Sequence, residues 1–147
     1  MSDSSRLKQQ MIAAVESRRQ EIIDLAEKIL HNPELGYREE KTAALVCAEL
    51  EKLGLTVRTG LAITGLRADI DSGKPGPRIA IMGELDALPV PSHTFADPET
   101  GAAHACGHHA QLAMMLGAAK ALVPIVKELS GSLAFIAVPA EEFQSLE

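Results

Sequence analysis

Apolar residues recur at three- and four-residue steps from about Ser5 to Leu30, through Leu7, Met11, Val15, Ile22, Ala26 and Ile29. That spacing is one stripe of an amphipathic helix and predicts a single long one, with Arg18, Arg19, Glu21 and Lys28 mostly on its wet side. Asn32-Pro33 ends it, because the residue before a proline disfavours helical geometry. A second helix fits Glu39 to Leu53, with Leu45, Val46, Leu50 and Leu53 inward and Gly54 as its stop. Cys47 falls within it and reads as a buried structural thiol.

The pattern then shortens to β-type runs at Leu55 to Arg58, Leu66 to Ile70 and Arg78 to Met82. Between the last two, the turn-rich Asp71-Ser72-Gly73-Lys74-Pro75-Gly76-Pro77 predicts an antiparallel hairpin. Ala87 to Ala103 is a proline-rich loop of about seventeen residues, a length that usually signals function or mobility. Gly107 to Val123 is a third helix, apolar on nearly every side from Leu112 onward, and Pro124 ends or kinks it. Ser132 to Val138 reads as a fully buried strand between Gly131 and Pro139. A helix between strand runs, with two leading helices, predicts α/β layering over a mixed sheet.

Composition narrows the class. The 147 residues suit one domain, and 46% apolar with 23% charged residues describes a globular chain. A formal charge of −6 argues against a nucleic-acid partner, which would want a basic face. The polar start, Met1-Ser2-Asp3-Ser4-Ser5, lacks the pattern of a secretory signal. No uninterrupted apolar run is long enough to suggest a membrane span. Two cysteines, Cys47 and Cys106, point to a reducing compartment rather than a disulfide framework, so cytoplasm is the expected location.

Candidate chemistry gathers in His104-Ala105-Cys106-Gly107-His108-His109 and in Glu141-Glu142. Thiol, imidazole and carboxylate are the ligand types a divalent transition metal selects. If the strands ending at Met82 and Val138 run parallel, Asp86 and the Glu pair reach one sheet edge, where α/β proteins place their ligands. The Cys106-Gly107-His108 turn would start the buried helix at that same edge. There the backbone amides should favour the Cys106 thiolate. Asp86 could orient a ligand by hydrogen bonding, and of the adjacent acids one could coordinate while its neighbour holds a water. His104 and His109 read more readily as polar loop residues. Cys106 as a nucleophile served by a histidine base is the weaker reading, because its spacing to His108 makes the geometry awkward.

The strings Gly83-Glu84-Leu85-Asp86-Ala87-Leu88-Pro89, His104-Ala105-Cys106-Gly107-His108 and Pro139-Ala140-Glu141-Glu142 together resemble the M20 metallopeptidase family. The similarity is closest to its amidohydrolase branch of aminoacylases, hippurate hydrolases and aminobenzoyl-glutamate hydrolases. His31-Asn32-Pro33-Glu34-Leu35-Gly36, with Glu40 and Thr42 following, agrees. The resemblance implies that residues 1–147 are the N-terminal part of a three-layer α/β/α metallohydrolase catalytic domain with a mixed sheet. The chain would then stop before the inserted lid or dimerisation domain.

By the same resemblance, two divalent ions, manganese or zinc, would act on a small-molecule amide substrate. Cys106, His108 and Glu142 would be metal ligands, Glu141 the general base and Asp86 the ligand-orienting aspartate. The full-length form could be a homo-oligomer, without nucleic-acid or membrane partners. His109 stands where the branch has Asp or Asn, and Ala137-Val138-Pro139 replaces the commoner Phe-Gln-Pro. Later histidine ligands of the family are absent, so weak or no hydrolysis is expected of this chain alone. A non-catalytic metal-binding remnant, or a subunit completed by another chain, is the alternative.

Overall fold

The structure is a computed structural model and describes residues 3–142. The most continuously apolar strand takes an interior place in the sheet. Helices α1 (Asp3–Ser17), α2 (Arg19–Leu30) and α3 (Glu40–Glu51) precede strands β1 (Val57–Leu61), β2 (Gly65–Asp71) and β3 (Arg78–Glu84). A two-stranded ribbon, β4 (Leu88–Pro89) with β5 (Ala102–Ala103), ties the ends of the long loop. Helix α4 (His108–Leu122) runs into a 3-10 turn (Val123–Glu128) at Pro124, and β6 (Ser132–Val138) follows. The main sheet has the order β1-β2-β6-β3.

That order corrects the expected hairpin between β2 and β3. Strand β6 lies between them, antiparallel to β2 and parallel to β3. Ala134, Phe135 and Ala137 of β6 are buried, so this strand gains most from neighbours along both edges. The tight hairpin is instead β1–β2, whose turn places Ala62 and Ile63 at positive φ. The Asp71–Pro77 connection serves as a crossing over the start of β6. There the backbones of Gly76 and Gly131 touch: a Cβ at Gly131 would sit 2.0 Å from the Pro77 oxygen. Only two glycines allow that approach.

The leading stripe also forms two helices rather than one. The chain breaks at Arg18 (φ −110, ψ 13), whose amide bonds back to Val15 and whose carbonyl starts α2 at Ile22. Leu7, Met11 and Val15 advance by fours, a step that drifts around a 3.6-residue helix, whereas Ile22, Leu25 and Ile29 mix threes and fours. α2 buries Leu25 and Ile29, and α1 fully buries none of its residues. Both lie against α4. Helix α3 buries Val46 and Leu50 and stops at Gly54 (φ 78), as its sequence indicates, while Cys47 is only half-buried.

Helices α2, α3 and α4 share one core with Leu66, Ala68 and Phe135 on one face of the sheet. The other face carries the Arg67–Asp69 ion pair and Met82, which is 58% exposed. The described residues thus supply the sheet and one helical layer of the expected architecture. By length and mean hydropathy the stretch His108–Glu128 could cross a membrane, although Lys120 interrupts its apolar run; more than half of its most apolar 18 residues are buried within this fold. Its one buried cation, Lys120, is held 2.7 Å from both Glu21 and Glu49, and Lys52 also reaches Glu49.

Candidate metal centre

Parallel pairing of β3 with β6 brings both carboxyl ends to one edge, with Glu84 beside Val138. Gly83 is bare where Leu112 of α4 approaches; a Cβ there would lie 2.9 Å from Leu112 Cδ2. The start of α4 is thereby set against the end of β3. Gly107, at φ 103, turns the chain so that α4 begins at His108.

His108 is buried among four carboxylates. Its Nδ1 lies 2.9 Å from the Asp86 backbone oxygen, which accepts a hydrogen bond when Nδ1 carries the proton. That leaves Nε2 with a free lone pair, the arrangement a metal-binding imidazole needs. Around Nε2 stand Glu84 at 2.8 Å, Glu142 at 3.7 Å and Glu141 at 3.9 Å. Donor atoms of Cys106, His108 and Glu142 lie within 4.8 Å of one another, and so do those of Glu84, His108 and Glu141. All five residues expected from the sequence therefore converge.

Their surroundings differ in detail from expectation. Asp86 is buried, and its Oδ2 accepts the Glu142 amide at 2.9 Å, so it fixes the backbone of the acid pair. Asp86 Oδ1 has no hydrogen-bond partner among the described residues, although His108 Nδ1 is 3.4 Å away. Cys106 is exposed, and its thiol is pushed up, first by hydrogen bonding with Glu142, then by burial and the nearby acids. The expected thiolate-favouring amides are outweighed by these carboxylates; a cation would reverse the balance.

His104 and His109 are not loop-surface residues. His104 is buried with neither ring nitrogen bonded among the described residues, and His109 Nδ1 is likewise unbonded. Their ring centroids are 5.6 Å apart. Burial, then the neighbouring His109 and His108, lowers the His104 pKa to about 4.

Glu84 is the site residue that motif reading missed. Strand alternation could have found it, because residues two apart share a face and Asp86 was already placed at this edge. A cavity of about 410 Å³ opens beside the acids, lined by Leu35, Tyr37, Arg38, Asp86, Leu88 and Glu142. Beside the lining residues Leu35 and Ala87, the Glu34 carbonyl accepts the Ala87 amide and the Glu34 carboxylate caps α3 through the Lys41 and Thr42 amides. That accounts for Glu34 and Thr42 in the sequence string. Glu40 is exposed, whereas its neighbour Glu39 is completely buried.

Residues 80–146, which carry both acid-bearing tips and the Cys-Gly-His turn, match the profile of Peptidase family M20/M25/M40. Over this stretch the chain is similar to the M20 family. It is similar to thermostable carboxypeptidase 2 of Saccharolobus solfataricus, 41% identical over 82% of this chain and 32% of that protein. IAA-amino acid hydrolase ILR1-like 2 of Arabidopsis thaliana is 40% identical over 82% of this chain and 28% of its own length. Among solved structures, the Bacillus subtilis YXEP protein, described as a dinuclear metal-binding M20 peptidase, superposes with a TM-score of 0.76. It is 32% identical, over 86% of this chain and 36% of its own. The chain spans about a third of the length of the curated relatives it matches.

Proposed function

We propose that this chain supplies the metal-holding half of a hydrolase for small amides, such as N-acyl amino acids or dipeptides, that works with two divalent ions, manganese or zinc. One observation carries the reading: Nε2 of the buried His108 faces a thiol and three carboxylates, with a fourth just behind. So many acids around one buried imidazole repel each other unless a cation sits among them. The unbonded Asp86 Oδ1 agrees.

Cys106, His108 and Glu142 would hold one ion, and Glu84 would contribute to the second. When bound, the ions polarise an amide carbonyl and lower the pKa of a water. Donation from Nδ1 to the Asp86 carbonyl would hold His108 in the metal-binding tautomer. Asp86 also fixes the Glu142 backbone, so both are aimed from one residue. Glu141, about half exposed where Glu142 is four-fifths buried, is the acid free to take a proton from water and return it to the departing amine. The cavity beside the acids would receive the substrate, with Leu35 and Leu88 against its apolar part.

Cobalt titration of the chain tests the centre. A sulfur-to-cobalt absorption band that Cys106→Ser removes is expected, together with any amide hydrolysis falling about a hundredfold or more in Glu141→Gln. A chain that binds no cobalt, manganese or zinc overturns the reading.

A further inference from the structure

The acid pair hangs between two buried carboxylates, of which only Asp86 belongs to the site already described. The other is Glu39, at the start of α3 and completely buried. Its Oε1 accepts the Ala140 amide at 2.8 Å, and its Oε2 accepts the Thr64 hydroxyl at 2.6 Å. Ala140 sits at φ 52, a left-handed conformation disfavoured for any residue with a Cβ. Such backbone persists only where its surroundings over-determine it. Asp86 holds the next amide but one, that of Glu142.

We infer that Glu39 is a positioning residue: it holds Ala140 in its left-handed turn and so, with Asp86, aims Glu141 and Glu142 at His108. The inference rests on the metal-centre reading for what the aiming accomplishes, but not for the aiming itself. Two oxygens serve two donors from different elements, the β1–β2 turn and the exit of β6. A carboxylate does this without rearrangement. A carboxamide can do it too, because the Thr64 hydroxyl can rotate to accept from the amide nitrogen.

Amide hydrogen exchange on the full chain tests it. In Glu39→Ala, exchange at Ala140 and Glu142 should speed up by about tenfold or more, with α4 amides unchanged, and cobalt affinity should fall about tenfold. Glu39→Gln should stay within about threefold of the parent in both readouts. Should the alanine variant fail to fold, Glu39→Asp decides; it keeps the charge, cannot reach both donors, and should also speed exchange at the two amides. Unchanged exchange there, or an equal rise throughout α4, overturns the inference. If the parent chain binds no cobalt, the metal reading falls while the exchange data still decide the role of Glu39.

Discussion

Among the described residues, two buried polar clusters are built in opposite ways. Between the helices, Lys120 is matched to Glu21 and Glu49, and Lys52 covers the remaining Glu49 oxygen. At the sheet edge, His108 is crowded by acids while Asp86 Oδ1 and both His104 nitrogens lack partners among the described residues. Buried polar groups are normally satisfied, so a complete cluster needs only to hold the fold, whereas an incomplete one points to something bound. The contrast separates a structural salt bridge from the proposed metal centre without reference to any relative.

Several measurements would break or sharpen that contrast. The largest effect is expected from Lys120→Met, which leaves Glu49 buried opposite no partner from α4 and should cost about 3 kcal/mol in urea unfolding. Metal affinity should barely move. His108→Ala should do the reverse, lowering cobalt affinity by about a hundredfold or more, read by equilibrium dialysis. If the two variants had the same profile, the division into structural and reactive clusters would be wrong.

A smaller effect concerns pH. Burial pushes the Glu49 carboxyl up, but hydrogen bonds from Lys120 and Lys52 outweigh it and hold it below 4.5. The unfolded chain then binds the proton more readily, so this contribution is complete above pH 4.5 and is lost as pH falls through the lower folded pKa. For Lys120, burial pulls down and the two glutamates pull up more strongly, to above 10.5. Its contribution is present below 10.5 and disappears as pH rises through the folded pKa. Urea midpoints should therefore drop at both extremes, and Lys120→Met should flatten both limbs. The smallest effect is expected from His109→Asp, which offers His104 an acceptor and should stabilise the fold by about 1 kcal/mol, measured as a rise in Tm.

Much of this was legible in the sequence. The bounds of β6 and the stop at Gly54 follow from apolar runs and turn residues, and the meeting of the Cys106-Gly107-His108 turn with the Glu pair from ligand chemistry; the choice of Glu142 within that pair rests on the family resemblance. What escaped was set by partners distant in the chain. A hydrophobic stripe does not reveal a break at Arg18, because both pieces stay periodic. Turn residues between β2 and β3 mark a reversal equally well whether the strands pair or a third enters between them. Glu39 and Glu40 look alike beside Lys41, and only the Thr64 and Ala140 donors show which one is interior. His104 read as polar because nothing in its own stretch of sequence marks it as buried.

The glycine crossing at the opposite end of the sheet has a mechanical consequence for the centre. Gly76 and Gly131 fix where β3 and β6 start, and both strands then run in step from Arg78 and Ser132 to Glu84 and Val138. A slip of one residue would carry Glu84 about 3.3 Å along the sheet and turn it to the opposite side. That exceeds the 2.8 Å now separating it from His108. Two residues with no side chains and no chemistry thus act as the zero mark against which the donor atoms are measured out.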